Sequence, residues 1–188
     1  CKYILDEILK MTDDGFLIVD KNGIIKLDDL KKAIKPSTIL ISVMSANNEI
    51  GSIQPIKKIA QIAHDRDIVF HTDAVQAIGN MPIDVQKMQI DMLSLSGHKI
   101  NAPKGIGALY IKKGIQVEKY INGGHQERNQ RAGTENVAGI VGLGKACEIA
   151  NRNILKHISY LSKLRNYYLM KLQKEMPGKF IINGGMEN

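Results

Sequence analysis

The 188-residue sequence predicts an α/β protein, a three-layer α/β/α arrangement around a mostly parallel sheet. Three observations carry that expectation. Residues 38–44 form a β-rich run that is apolar on both faces, as a central parallel strand requires. An amphipathic helical pattern at 56–64 separates this run from a second short apolar run at 68–70. A third run, at 92–95, also ends in polar residues. In open parallel sheets, ligands bind in the crevice outside the carboxyl ends of the strands, where these polar clusters fall.

The remaining elements follow in order. Residues 2–11 place Ile4, Leu5, Ile8 and Leu9 on one helical face, and Asp13-Asp-Gly15 stops that helix. Residues 16–19 read as a strand, and Asn22-Gly23 as a turn. A short helix is expected at 28–34, closed by Pro36. A brief helical turn falls at 84–88, and 107–111 returns as a strand. A loop then runs through Gly133. One helix is expected from about Asn136, with Val137, Ile140, Val141, Leu143, Ala146 and Ile149 as its apolar anchors, and a second spans about 154–175. Pro177-Gly178 ends the latter, and residues 180–182 read as the beginning of a strand. This order assigns residues 1–150 to one large unit, with 151–188 as a linking helix and the start of a second.

Composition narrows the function classes. At 44% hydrophobic and 24% charged, the chain can bury a real core. Its net charge of +7 comes from dispersed Lys and Arg, with no arginine-rich run and no set of stacking aromatics. That argues against nucleic acid and suits an anionic small molecule. No apolar run approaches the roughly 18 residues of a membrane span. Cys1 and Cys147 give no disulfide framework and fit a reducing, cytoplasmic compartment.

The polar cluster after residue 95 contains Ser96, Gly97, His98 and Lys99, and Pro103, Gly105 and Gly107 keep the following backbone out of helix. Asp73 and Gln76 follow the second run, and Asn48 lies in the loop after the first. An amine, a carboxylate and several hydrogen-bond donors at neighbouring strand ends are what a pyridoxal phosphate site needs. Lys99 would bond the cofactor, and Asp73 would keep its ring nitrogen protonated. Ser96, His98 and the backbone N–H groups around Gly97 would take the phosphate. Asn48 and Gln76 would reach the ring hydroxyl or the substrate.

Four stretches carry a family resemblance: Ala46-Asn-Asn-Glu-Ile-Gly-Ser-Ile-Gln-Pro55, His71-Thr-Asp-Ala-Val-Gln-Ala-Ile-Gly79, Ser94-Leu-Ser-Gly-His-Lys99 and Arg131-Ala-Gly-Thr-Glu-Asn136. Together they resemble the cysteine desulfurases of the NifS/IscS type, class V aminotransferases of fold-type I. The resemblance implies the fold of the large domain of such an enzyme and pyridoxal phosphate as cofactor. It implies L-cysteine as substrate, with its sulfur passed to an enzyme cysteine for iron–sulfur cluster assembly or tRNA thiolation through an acceptor or scaffold protein. It gives Lys99, Asp73, Gln76, Asn48, Ser96 and His98 the same roles as above, and adds Thr134, which would reach the phosphate of a partner subunit's cofactor in a homodimer. It aligns the family's ring-stacking histidine with Cys1 and puts a phosphate-binding threonine segment before Cys1. The nucleophilic cysteine and the carboxylate-binding arginine would fall beyond Asn188. A selenocysteine lyase or another class V enzyme, or a catalytically silent fragment that dimerises or binds a scaffold, are the alternatives.

Other residues have plainer readings. Cys147 reads as an inert thiol on an apolar helix face. Gly142-Leu-Gly144-Lys145 lacks a preceding strand, so helix packing explains it better than a dinucleotide site. His64 and His157 lack metal-ligand spacing. His125 could line the site from the loop before Arg131. Asp73 could simply cap the segment after it.

Overall fold

The computed structural model describes residues 17–185. Four strands, β1 (Leu40–Met44), β2 (Val69–Asp73), β3 (Met92–Ser96) and β4 (Gly107–Ile111), form one sheet in the order β1-β2-β3-β4. The first three run parallel and β4 is antiparallel, so the sheet is mostly parallel, as expected. Helix α1 (Leu27–Ala33) and helix α2 (Ile56–His64) lie against it. Helix α3 runs from Val137 to Glu175.

One face of the sheet makes the core. Ile41 and Val43 of β1, Phe70 and Thr72 of β2 and Leu93 of β3 are buried there beneath Ile56, Ile59, Ala60 and Ala63 of α2. The parallel register puts Ile41 beside Phe70, and Val43 beside Thr72, which in turn pairs with Leu93, so the alternate residues share the other face. That second face carries Leu40, Ser42, His71 and Ser94, all exposed or half-buried. Among the described strands β1 lies at the edge of the sheet, and it has one buried face where its sequence suggested two. Its apolar Leu40, 45% exposed, is what made it read as central.

Other expectations need correction. Helix α3 is a single 39-residue element, about 58 Å long, where two helices were expected. Asn151 and Asn153, between the two expected helices, are weak helix formers, but each costs a helix only about half a kcal/mol. Asn153 returns a hydrogen bond to the Ile149 carbonyl, and Arg152 pairs with Glu148 one turn back. Residues 180–182 form no strand, because no strand among the described residues pairs with them. Of the strand expected at 16–19, Phe16 lies outside the described residues, and Val19 makes only an isolated bridge to Ile25. The helix at 2–11 also lies outside the described residues.

The expected turn at Asn22-Gly23 forms around Asp20, whose carboxylate accepts from Asn22 N and Ile24 N. The turn at 84–88 is capped in the same way by Asp84. No helix among the described residues is long and apolar enough to cross a membrane.

Candidate active site

Strands β2 and β3 end side by side. Asp73, the last residue of β2, pairs with Ser94, and Ser96 follows two residues on along the same face. At ordinary strand spacing Asp73 and Ser96 are about 8 Å apart between Cα atoms. Asp73 Oδ1 accepts from Val75 N at 2.8 Å, closing the turn that follows β2. Its Oδ2 takes no hydrogen bond from the described residues. The capping role expected of an isolated aspartate is thus present, and it fixes the carboxylate through one oxygen.

A 3-10 turn, Gly97–Ile100, continues β3 and carries His98 and Lys99, both exposed. Three features hold it. Gly97 N donates to Ile106 O at 2.9 Å, and Ala102 N to Gly97 O at 3.0 Å. Asn101 closes the turn in the left-handed region at φ 64°. Ile100 is buried against Leu143 and Ala146 of α3. A Cβ on Gly97 would come within 2.8 Å of Ile106 Cγ2 and 3.0 Å of Ile106 O, so only glycine lets the turn sit this close to the loop behind it. That loop is pressed onto α3 in turn, since a Cβ on Gly142 would meet Pro103 Cδ at 2.8 Å. Gly142 is therefore a packing glycine. Lys99 projects from a turn braced on both sides.

Ser96 Oγ and His98 Nδ1 lie 2.7 Å apart, a pair of groups able to donate to one anion. Asn48 sits at the exposed tip of the loop that follows β1. Ser45 N donates to Asp73 O at 2.7 Å at the base of this loop, which ties the segment carrying Asn48 to the strand carrying Asp73. Asn47 braces the tip, its Oδ1 accepting from Glu49 N and Ile50 N. Gln76 is half-buried in the turn after Asp73. Thr134 stands apart in an exposed loop before α3, with no hydrogen bond to Asp73, Ser96, His98 or Lys99. His125 is exposed too, pairing with Asn129 at 3.2 Å.

The class-V aminotransferase family model matches residues 15–183. The chain belongs to that family. Class-V aminotransferases are pyridoxal phosphate enzymes. Residues on this class-V chain fit such a group: an exposed amine on a turn braced by Gly97 and Ile100, a carboxylate with one oxygen unbonded among the described residues, and a hydroxyl and an imidazole beside the amine for a phosphate. The chain is 50% identical to "Cysteine desulfurase IscS" of Dictyoglomus turgidum over 92% of its length and 44% of the relative's. It is 58% identical to the protein of that name in Methanosarcina thermophila, covering 85% of this chain and 39% of the relative. "Cysteine desulfurase" of Rattus norvegicus is 44% identical, over 97% of this chain and 42% of the relative. Among solved structures, a "NIFS-LIKE PROTEIN" superposes with a TM-score of 0.84 at 38% identity, covering 93% of this chain and 49% of that one. "SspA in complex with cysteine" gives a TM-score of 0.71 at 43% identity, over 79% of this chain and 44% of that one. The class-V chain thus spans less than half the length of the curated relatives it matches.

Sequence reasoning missed two polar arrangements. Buried Asp91, just ahead of β3, accepts from His64 at 2.7 Å, Phe70 N at 3.0 Å and Lys112 at 3.1 Å. Ser42 Oγ lies 2.8 Å from His71 Nδ1, across β1 and β2. Both join residues 21 to 29 positions apart, which only the strand register brings together.

Proposed function

We propose that this chain is the cofactor-binding part of a cysteine desulfurase, which converts L-cysteine to L-alanine and passes the sulfur to a protein thiol as a persulfide. The observation that carries the reading is the convergence of Asp73 and the Lys99 turn at adjacent strand ends. Likeness to relatives named cysteine desulfurase supports the substrate. When bound, pyridoxal phosphate supplies an electron sink for the substrate's Cα.

The chain's residues supply the rest. Lys99 would hold the cofactor covalently and, as a free amine, would carry protons at Nζ. Asp73 would keep the ring nitrogen protonated through Oδ2, its Oδ1 bond to Val75 N holding the carboxylate in place. Ser96 and His98 take the phosphate, while Gly97, whose N–H is bonded to Ile106 O, shapes the turn that carries them. Asn48 and Gln76 orient the ring hydroxyl or the substrate. Cys147 is not the sulfur acceptor, being mid-helix and packed against the cluster of Ile100, Leu143 and Ala146.

In the same reading, residues 1–150 form the large unit, and 151–188 the linking helix and the start of a second unit. The protein works as a homodimer in which exposed Thr134 reaches the partner's cofactor phosphate. It acts in the cytoplasm and delivers sulfur to an acceptor or iron–sulfur scaffold protein. Borohydride reduction in the presence of pyridoxal phosphate, followed by peptide mapping, tests the central assignment. The label is expected on Lys99 and absent from Lys99→Ala; a label on Lys104 overturns it.

A further inference from the structure

We propose that His71 is a positioning residue for Asp73: held by Ser42 on the sheet face that Asp73 shares, it sets how much of the carboxylate's field reaches the ring nitrogen. The inference rests on the cofactor reading above, in which that carboxylate meets the ring nitrogen.

The geometry comes from the register. His71 and Asp73 are two residues apart on β2, so their side chains leave the same face about 7 Å apart. Ser42 of β1 and Met92 of β3 flank His71 directly; Met44 and Ser94 flank Asp73. None of these four neighbours titrates, so Asp73 is the one ionisable group facing His71 from the described strands. The Ser42 hydroxyl lies 2.8 Å from His71 Nδ1 and can donate to that nitrogen when it is bare or accept from it when it is protonated, so it holds the ring in place in either state. Burial pushes the His71 pKa below its ordinary 6.5, and the attraction of Asp73 opposes this without overcoming it. The neutral ring is thus the ordinary state near neutrality.

Its effect on the site is electrostatic. An imidazolium 7 Å from Asp73 would offset part of the carboxylate's field and weaken its hold on a protonated ring nitrogen. A unit charge at that range shifts a proton equilibrium by about tenfold or more. The competing explanation is a cross-strand hydrogen bond that merely stabilises the sheet. That role would alter unfolding midpoints and leave the pH dependence of cofactor binding untouched.

The test measures pyridoxal phosphate dissociation constants from about pH 5 to about pH 8 for the parent protein, His71→Gln and His71→Lys. The parent is expected to lose affinity as pH falls through the range below 6.5 where His71 gains a proton. His71→Gln should match the parent at the alkaline end and lack that component of the loss. The cofactor phosphate also titrates, but it and the rest of the site are the same in both proteins, so the difference isolates His71. His71→Lys, a permanent cation, should bind about tenfold more weakly near pH 8. If His71→Lys does not fold, the parent and His71→Gln decide the matter alone. An acid loss of equal size and midpoint in His71→Gln overturns the inference, even with a Lys99-dependent visible band in the parent. A parent protein that binds no cofactor at any pH overturns the cofactor reading and this inference with it.

Discussion

Asp91 Oδ2 lies 2.7 Å from His64 Nε2, at the end of β3 opposite the one that leads to Lys99. The same oxygen accepts from Phe70 N, and Oδ1 accepts from Lys112 Nζ. One carboxylate thereby fastens α2, β2 and the residue after β4 to the root of the strand that presents the proposed cofactor lysine. Burial pushes the Asp91 pKa up, but the hydrogen bonds from Phe70 N, His64 and Lys112 and the charge on His64 outweigh it, holding the carboxyl below its ordinary 3.8.

Replacing Asp91 with Asn is therefore expected to cost about 2–4 kcal/mol, since three donors lose a charged acceptor. Urea unfolding should show a lower midpoint at unchanged slope. The sign of the pH effect follows from the lowered pKa. The contribution is fully present above the unfolded value near 4 and disappears as pH falls through the lower folded value. Parent and Asp91→Asn stabilities should therefore converge under strong acid. A constant gap down to the parent's acid-unfolding limit would mean that packing, rather than charge, makes the difference.

Ile100 anchors the Lys99 turn to α3 through Leu143 and Ala146. Ile100→Ala should cost about 2–4 kcal/mol as the cavity forms. It should also weaken cofactor binding, because the turn loses its brace. Stability is read by denaturant titration and binding by absorbance, on the same samples. Unchanged affinity in a destabilised variant would show that the turn holds its shape without Ile100.

Gly97→Ala tests the turn more locally. The new methyl would meet Ile106 Cγ2 and Ala102 Cβ, so the turn must shift by tenths of an ångström. Cofactor affinity is expected to fall by tenfold or more, for a loss of about 1–3 kcal/mol in stability. Gly105→Ala is the matched control. That residue has φ 82° with open space around it, so alanine there strains the backbone without touching the turn. Equal affinity losses in both variants would remove the special place given to Gly97.

How much of this was legible beforehand depended on the range of the interaction. Strand ends marked by Asp73 and by Ser96 to Lys99 could be read because each is a local change from apolar run to polar cluster. The turns at Asp20 and Asp84 are local as well. The exposed second face of β1 was not legible, because Ile39 and Leu40 are apolar yet exposed, and sequence alone does not say which face a sheet covers. The continuity of α3 was not legible, because the hydrogen bond of Asn153 and the ion pair of Arg152 that carry the helix through this stretch of weak helix formers show only in the folded chain. Asp91 with His64, and Ser42 with His71, needed the strand register before their partners could be named.

Asp73→Asn separates the residue's two roles, and the structure says why this substitution is the right one. Asparagine keeps an Oδ1 able to accept from Val75 N, so the turn after β2 should survive and unfolding stability should change by less than about 1 kcal/mol. What disappears is the negative charge, and with it the means of holding a proton on the ring nitrogen. That proton matters most when negative charge develops on the substrate Cα, so the loss should fall on the chemical step. In the protein carrying the complete site, cysteine turnover is expected to drop by about a hundredfold or more, with a much smaller change in cofactor affinity. Asp73→Ala removes the acceptor as well, and should add a stability loss of about 1 kcal/mol that asparagine avoids. Paired measurements of alanine release and urea unfolding on the two variants decide between the roles. Turnover within a few-fold of the parent in Asp73→Asn would reduce Asp73 to a capping residue and move the ring-nitrogen contact elsewhere.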